Sequence, residues 1–413
     1  MGNDSQAGPT EDGRKVTDRM HVLGLTNMRV DEMREPFEEL GRRGTLVTID
    51  PDDGVRAYLS AFTTGSRCIE RRGSDAVLTY NGSGLLGVVG ALLGRYHGVP
   101  FLIRQNGDIF RQHREAAVDL VREREWKRFA THLPFALLTR AVFHDADGFV
   151  PVADALAGTV HRQTGCPTER IASVPNPVDL ETYAPSEAGG HGRDADEGQL
   201  LLTVTNLNFQ GKYEGVRRLI DGIVPLLRER PDVEYVVAGD GRYYGRLQRY
   251  LDDGVDGDVR DRIRTPGYVD EVAKLYRCAD VFLYASFIDG YPNVILEAQA
   301  TGLPIVTNPA YGIVEQIDDG ETGVFVDPNE SDELARTVSS LLDDPAERDR
   351  IGRNARERVA TTNDAESVAP LLYDAVRSVV AERRTQPTAD EPVPVGGDAP
   401  TAPRRPGGGA DDG

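Results

Sequence analysis

The segment SFIDGYPNVILEAQATGLPIVTN, residues 286–308, holds two carboxylates, Asp289 and Glu297, with seven residues between them. Pro292 suits the first turn of a helix, where its missing N–H costs nothing, so a helix is predicted from about Pro292 to Thr301, ending at Gly302. The backbone amides of Gly290, Tyr291, Asn293 and Val294 then point out of an N-terminus that attracts anions. A carboxylate beside such an end and another two turns in can bracket a polyhydroxylated ligand as acceptors, while the amides serve a diphosphate.

A second candidate is the glycine loop of Gly82, Gly84 and Gly87, which spells G-x-G-x-x-G between the apolar run AVLTY and a helical segment. A dinucleotide fingerprint follows the first strand and brings an acidic residue to the end of the next one. Here the loop follows the third strand, and Asp108 stands four residues past the strand PFLIR. A tight strand-to-helix turn explains the glycines as simply; an NAD-dependent oxidoreductase resting on 82–87 is the competing reading. AGDGRYYG, residues 238–245, is a near miss spaced G-x-G-x-x-x-G. HDAD, residues 144–147, lacks metal-ligand spacing, and no Ser/His/Asp or Cys/His arrangement is identifiable.

These residues need elements to hold them. Short β-branched runs ending in Gly, Asn or Asp alternate with segments of helical period, which is the pattern of βα repeats on parallel sheets. One set of strands is predicted at 21–26, 45–49, 76–80, 100–104, 148–152 and 170–175, and a second at 200–207, 233–239, 262–267, 281–286, 304–308 and 323–327. A polar, turn-rich stretch between the sets reads as a linker. The 413 residues thus divide into a tail 1–19, a Rossmann-like domain 20–184, a second Rossmann-like domain 185–382 and a tail 383–413, the two tails too polar to order themselves. The fold class is α/β, with two doubly wound domains facing across a cleft onto which the carboxyl ends of the strands open.

Composition narrows the function. The net charge is −20, which repels phosphate backbones and argues against nucleic-acid binding. Only four lysines occur, Lys15, Lys127, Lys212 and Lys274, so nearly all positive charge is arginine, a balance that suits high salt. Cys68, Cys166 and Cys278 are too few and scattered for a disulfide framework and read as small buried hydrophobes in a reducing cytoplasm. Residues 1–19 are polar, unlike a signal peptide, Gln6 stands where a myristoylation signal has Ser or Thr, and the apolar stretch 84–94 is too short to span a bilayer.

The 286–308 segment resembles the donor-binding signature of family 4 of the retaining glycosyltransferases with the GT-B fold, in which two glutamates are separated by seven residues ahead of a G-x-P turn. The resemblance extends to VPNPVDLETYAP (174–185), LLTVTNLNFQGKYEGVRRLIDGI (201–223), VVAGDGRYYGRL (236–247), GYVDEVAKLYRCADVFLYAS (267–286) and LLDDPAERDRIGRNARERV (341–359). It is dense over about 170–382 and loose before that. It implies transfer of a sugar from a nucleotide diphosphate donor to an acceptor hydroxyl with retention, without a metal or other cofactor, in cell-surface glycan, glycolipid or protein-glycan assembly. Lys212 is then expected on the donor diphosphate, stabilising the departing charge. Asn206 stands where the family has an arginine, and Asp289 replaces the first glutamate, with a shorter arm toward the donor sugar. Glu297 is expected on the ribose hydroxyls, and Gly239 and Gly241 at the nucleotide or in a plain turn.

In the first domain the same resemblance puts Asn106 at a position usually held by histidine, with Asp108 as a candidate base for the acceptor hydroxyl; turn chemistry of an N-G loop is the plainer reading. Gly82, Ser83 and Gly84 fall on the acceptor side, where a helix N-terminus could meet a lipid-linked phosphate. Residues 111–140 carry seven Lys or Arg against four Asp or Glu, with Trp126, Phe129, Leu133 and Phe135 interleaved. They read as a solvated helix with a buried face, or as a peripheral contact with the anionic inner face of a membrane. A catalytically silent GT-B binding protein, suggested by Asn206 and Asp289, completes the alternatives.

Overall fold

The computed structural model describes residues 20–28, 30–186 and 198–385; of the tails expected at 1–19 and 383–413, residues 383–385 belong to the last helix and the rest lie outside the described residues. Two parallel sheets form two lobes. The first contains β1 (Val22–Thr26), β2 (Gly44–Thr48), β3 (Ala76–Tyr80), β4 (Phe101–Gln105) and β5 (Gly148–Pro151) in the order β2-β1-β3-β4-β5. The second contains β6 (Gln199–Val204), β7 (Val233–Ala238), β8 (Ile263–Gly267), β9 (Val281–Tyr284), β10 (Ile305–Thr307) and β11 (Val324–Phe325) in the order β11-β10-β9-β6-β7-β8. Helices cover both faces of each sheet, so β1, β3 and β4 are buried at every position and their sequences are mostly apolar instead of alternating, with Arg104 and Gln105 closing β4.

The strand orders matter more than the strands. Each sheet reverses direction once, between β1 and β3 in the first lobe and between β6 and β9 in the second. At such a switch point the connections leave on opposite faces and open a crevice beyond the carboxyl ends of the two central strands. The two crevices face each other: Gly107, after β4, forms an isolated antiparallel bridge with Asp289, after β9.

Three expectations are corrected. The predicted sixth strand at 170–175 is a single bridge from Ile171 to Phe149, followed by the bonds Ala172 N to Phe149 O and Val174 N to Pro151 O; Pro175 then has no N–H to extend a ladder. The segment 111–140 is two helices, Ile109–Arg122 and Trp126–Asp145, turned at Arg124, whose φ is 59°. The boundary 185–382 follows chain order, whereas the last helix, Ala365–Thr385, crosses back onto the first lobe. Its Val368, Leu372, Val376 and Val379 pack with Met20, Met33, Leu78 and Leu102. Among the described residues no helix is long and apolar enough to cross a membrane.

Candidate active site

Lys212 and Asp289 occupy the switch point of the second lobe. Lys212 lies in the first turn of the Gln210–Glu229 helix, which follows β6, and Asp289 lies in the turn that follows β9. Glycines let the two segments meet: a Cβ on Gly215 would sit 1.8 Å from the Ala285 carbonyl oxygen, and one on Gly211 would sit 3.2 Å from Ile288 Cβ. Lys212 Nζ consequently stands 3.2 Å from Asp289 Oδ1, with both side chains largely withdrawn from solvent.

The turn carrying Asp289 is tightly specified. Ser286 Oγ accepts from the amides of Ile288 (3.3 Å) and Asp289 (3.2 Å), and Asn308 beside it accepts from Ser286 N and donates to Ser286 O, each at 3.0 Å. Tyr284 OH donates to the Asp289 carboxylate. Burial pushes this carboxyl up, but the Lys212 ammonium and the hydrogen bonds from Tyr284 and Ser286 outweigh it and hold Asp289 below the usual carboxylate range.

Pro292 caps the next helix, Asn293–Thr301, and is not its first helical residue; Gly302 closes it in the left-handed conformation with φ 78°. The amides of Asn293 and Val294 precede the first intrahelical acceptor, whereas Ile295 N donates to Pro292 O at 3.2 Å. Tyr291 turns into the first lobe's core cluster, and Gly290 packs against that lobe, where a Cβ would meet Asn106 O at 3.4 Å. Glu297 lies farther along the helix and accepts from Tyr276 OH at 2.8 Å. Burial and the Glu297 charge together raise the Tyr183 and Tyr276 phenols well above their ordinary values, so both remain protonated beside it.

Asn206 follows β6 and keeps a buried Oδ1 without a hydrogen-bond partner. Gly239 and Gly241, with φ of 139° and 148°, are explained by the neighbouring backbone. A Cβ on Gly239 would lie 1.7 Å from Thr205 O, and one on Gly241 2.6 Å from the Leu207 carbonyl carbon. They bring the loop after β7 onto the loop that carries Asn206.

The first lobe contributes a residue without any motif to announce it. Glu32, from the helix Val30–Leu40 after β1, accepts from Asn106 Nδ2 at 2.8 Å and from Tyr80 OH, and across the cleft from Asn293 Nδ2. Asn293 Oδ1 in turn accepts from Asn176 Nδ2 at 2.8 Å. Asn106 Oδ1 is buried without a partner. Arg104, wholly buried on β4, donates to Pro175 O and Asn176 Oδ1; burial lowers its pKa, and the Tyr80 and Glu32 charges oppose that shift. Asp108 caps the Ile109–Arg122 helix through Arg111 N at 2.9 Å and accepts from Gln163 Nε2 at 2.9 Å, a positioning task for the loop that bridges to Asp289.

The glycine loop has a packing explanation. Cβ atoms would lie 2.8 Å from Ile103 Cδ1 at Gly82, 2.2 Å from Phe135 Cε2 at Gly84 and 2.0 Å from Gly82 O at Gly87. Ser83 is the N-cap residue of the helix Gly84–His97 without a side-chain capping bond, and the Gly84 amide donates to Thr139 Oγ1 at 3.3 Å. The structure therefore joins Lys212, Asp289, Gly290, Asn293 and Asn106 in one cleft, and places Gly84, which follows the N-cap Ser83, under the Trp126–Asp145 helix and Gly82 against Ile103. Among the described residues no group of three His, Cys, Asp or Glu side chains could hold a metal ion.

With this geometry in place, comparison with known proteins identifies the architecture. HepE of Anabaena, in complex with UDP and glucose, superposes with a TM-score of 0.64 at 17% identity, covering 86% of this chain and 99% of that one. Sucrose-phosphate synthase from Thermosynechococcus elongatus gives 0.66 at 18% identity, covering 88% and 100%. The fold is GT-B. Residues 198–344, nearly the whole second lobe, match the family model of the glycosyl transferases group 1. D-inositol 3-phosphate glycosyltransferase of Corynebacterium efficiens is 29% identical over 230 residues, which are 54% of this chain and 54% of that one. The chain thus spans about half the length of the curated relatives it matches.

Proposed function

We propose that this GT-B protein transfers a sugar from a nucleoside diphosphate donor to an acceptor hydroxyl, with retention and without a metal. The observation that carries the reading is the Lys212–Asp289 pair at the second lobe's switch point, 3.2 Å apart beside a helix N-terminus and within the matched domain. Lys212 exchanges part of its contact with Asp289 for the donor diphosphate. As the bond from the anomeric carbon to the β-phosphate oxygen breaks, the ammonium and the helix-tip amides hold the departing negative charge. Asp289, kept ionised, faces the positive charge growing on the sugar ring. The acceptor oxygen forms the new bond on the face just vacated, and its proton passes to the leaving diphosphate. Glu297, about one turn into the helix, accepts from the ribose hydroxyls, while Asn206, Gly239 and Gly241 shape the nucleotide loops. The first lobe brings the acceptor, a glycan or lipid-linked hydroxyl, to the Asn106 side of the cleft.

Titration with UDP-, GDP- and ADP-sugars, followed by a transfer assay, tests this. Donor binding with transfer, and a fall in kcat of about 10²–10³ in Lys212→Ala, are expected. NAD binding without nucleoside diphosphate binding would reverse the reading in favour of an oxidoreductase. Asn206, standing where the resemblance has arginine and with its buried Oδ1 unpartnered, favours a silent binding protein as the second reading; donor binding with neither transfer nor donor hydrolysis would establish it.

A further inference from the structure

The helix Trp126–Asp145 is apolar on nearly every side, yet it buries only Thr139, Val142 and Phe143. Trp126 is 59% exposed, Leu133 47% and Leu137 60%, with Phe135 and Leu138 also open to solvent. A helix of this composition is ordinarily covered. The helix carries Lys127, Arg128 and Arg140 against one acid, Asp145, in a chain of net charge −20; Asp145 pairs with Arg95 at 3.2 Å and Arg128 with the N-cap Glu125 at 2.8 Å.

We propose that this helix lies in the surface of an anionic lipid bilayer, with the aromatic and leucine side chains among the acyl chains and Lys127, Arg128 and Arg140 at the headgroups. Charge selects this occupant over a second copy of the chain, because a twofold contact would set Lys127 and Arg140 against their own copies. The position of the helix gives the contact a purpose. Phe135 covers Gly84 and Thr139 holds the Gly84 amide, so the docked face adjoins the acceptor side of the cleft. An acceptor hydroxyl on a lipid-borne headgroup then enters from the bilayer. That last point rests on the transfer reading; the docking itself does not.

Trp126 is the chain's only tryptophan, which makes its emission a report from this helix alone. The full chain is mixed with vesicles of phosphatidylcholine, or of phosphatidylcholine with phosphatidylglycerol, at low and high salt, and followed by fluorescence and flotation. The expected result is flotation with a blue shift on the anionic vesicles, and quenching by brominated acyl chains. Salt weakens the charge attraction but leaves the apolar part. Leu133→Ser with Leu137→Ser removes exposed side chains only, so the melting temperature and UDP affinity stay unchanged while vesicle affinity falls about tenfold or more. Absence of flotation, equal binding by the double variant, or a blue shift without vesicles that tracks dimer formation would each overturn the proposal. UDP titration of the same samples reports separately on the transfer reading.

Discussion

Removing the ammonium of Lys212 should damage stability and activity by routes that a second substitution separates. At 3.2 Å the pair attracts by roughly 5 kcal/mol at an effective dielectric constant near 20. Most of that offsets the cost of withdrawing both charges from water, so the pair itself adds little net stability. Breaking it is different. Lys212→Met leaves Asp289 buried with only Tyr284 and Ser286 as donors, and the expected loss is about 3 kcal/mol, the low end for an uncompensated buried charge. For lobes of this size that corresponds to a fall of about 6–12 °C in Tm. Adding Asp289→Asn removes the orphaned charge while keeping an acceptor for Tyr284, and should restore stability to within about 1 kcal/mol of the parent. Transfer should be lost in both variants.

The pH dependence has a definite sign. In the parent the Asp289 pKa lies below its unfolded value, so its contribution is present above the ordinary carboxylate range and disappears as pH falls through the folded value. In Lys212→Met the strongest opposing charge is gone and burial raises the carboxyl above its unfolded value, so the stability that depends on its protonation is lost as pH rises. The gap between parent and variant should therefore be widest near neutrality and close in acid. Thermal melts of the four proteins of the cycle between about pH 4 and 8 measure it. If Lys212→Met melts with the parent at neutral pH, or if the double variant is less stable than either single one, the pair is not a buried, mutually compensated one and this reasoning fails.

Other substitutions test the surroundings of the pair. Gly215→Ala places a Cβ against the Ala285 carbonyl, which is backbone and has nowhere to move; a loss of about 2–3 kcal/mol and weaker UDP binding are expected in melts and calorimetry. Glu32→Gln turns an amide toward Asn293 or Asn106 and loses one contact worth about 1–3 kcal/mol. It should lower kcat and raise the acceptor KM while UDP affinity, which the proposed function assigns to the second lobe, stays the same; equal weakening of UDP binding would refute a role confined to closure. Gly84→Ala meets Phe135 at a φ of 58° and should lower Tm at unchanged nucleotide affinity, whereas loss of nucleotide binding at unchanged stability would return the glycine loop to function.

How much of this was legible in the sequence depends on whether a feature is local. The parallel strands were, because burial on both faces demands short, largely apolar runs such as AVLTY and VFLY. So was the helix end at Gly302, a left-handed cap that glycine favours. The terminal helix Ala365–Thr385 announced an apolar face that needed a partner, but nothing in its period says which lobe supplies one. Lys212 attracted notice through the scarcity of lysine and through resemblance, yet its pairing with Asp289 requires β6 to lie beside β9, and strand order is not written in either segment.

Glu32 is the extreme case. It is one of five acids in the eleven residues Val30–Leu40, and nothing local sets it apart from the exposed Glu38 and Glu39. What distinguishes it is topology: the first sheet reverses between β1 and β3, so the helix after β1 starts beside Tyr80 and Asn106, opposite the second lobe's own reversal. A carboxylate at one switch point thus reaches Asn293 at the other. Because the bond spans the cleft, it exists only while the lobes are together, which ties the geometry of the Asn106 side to that of the helix tip after Pro292.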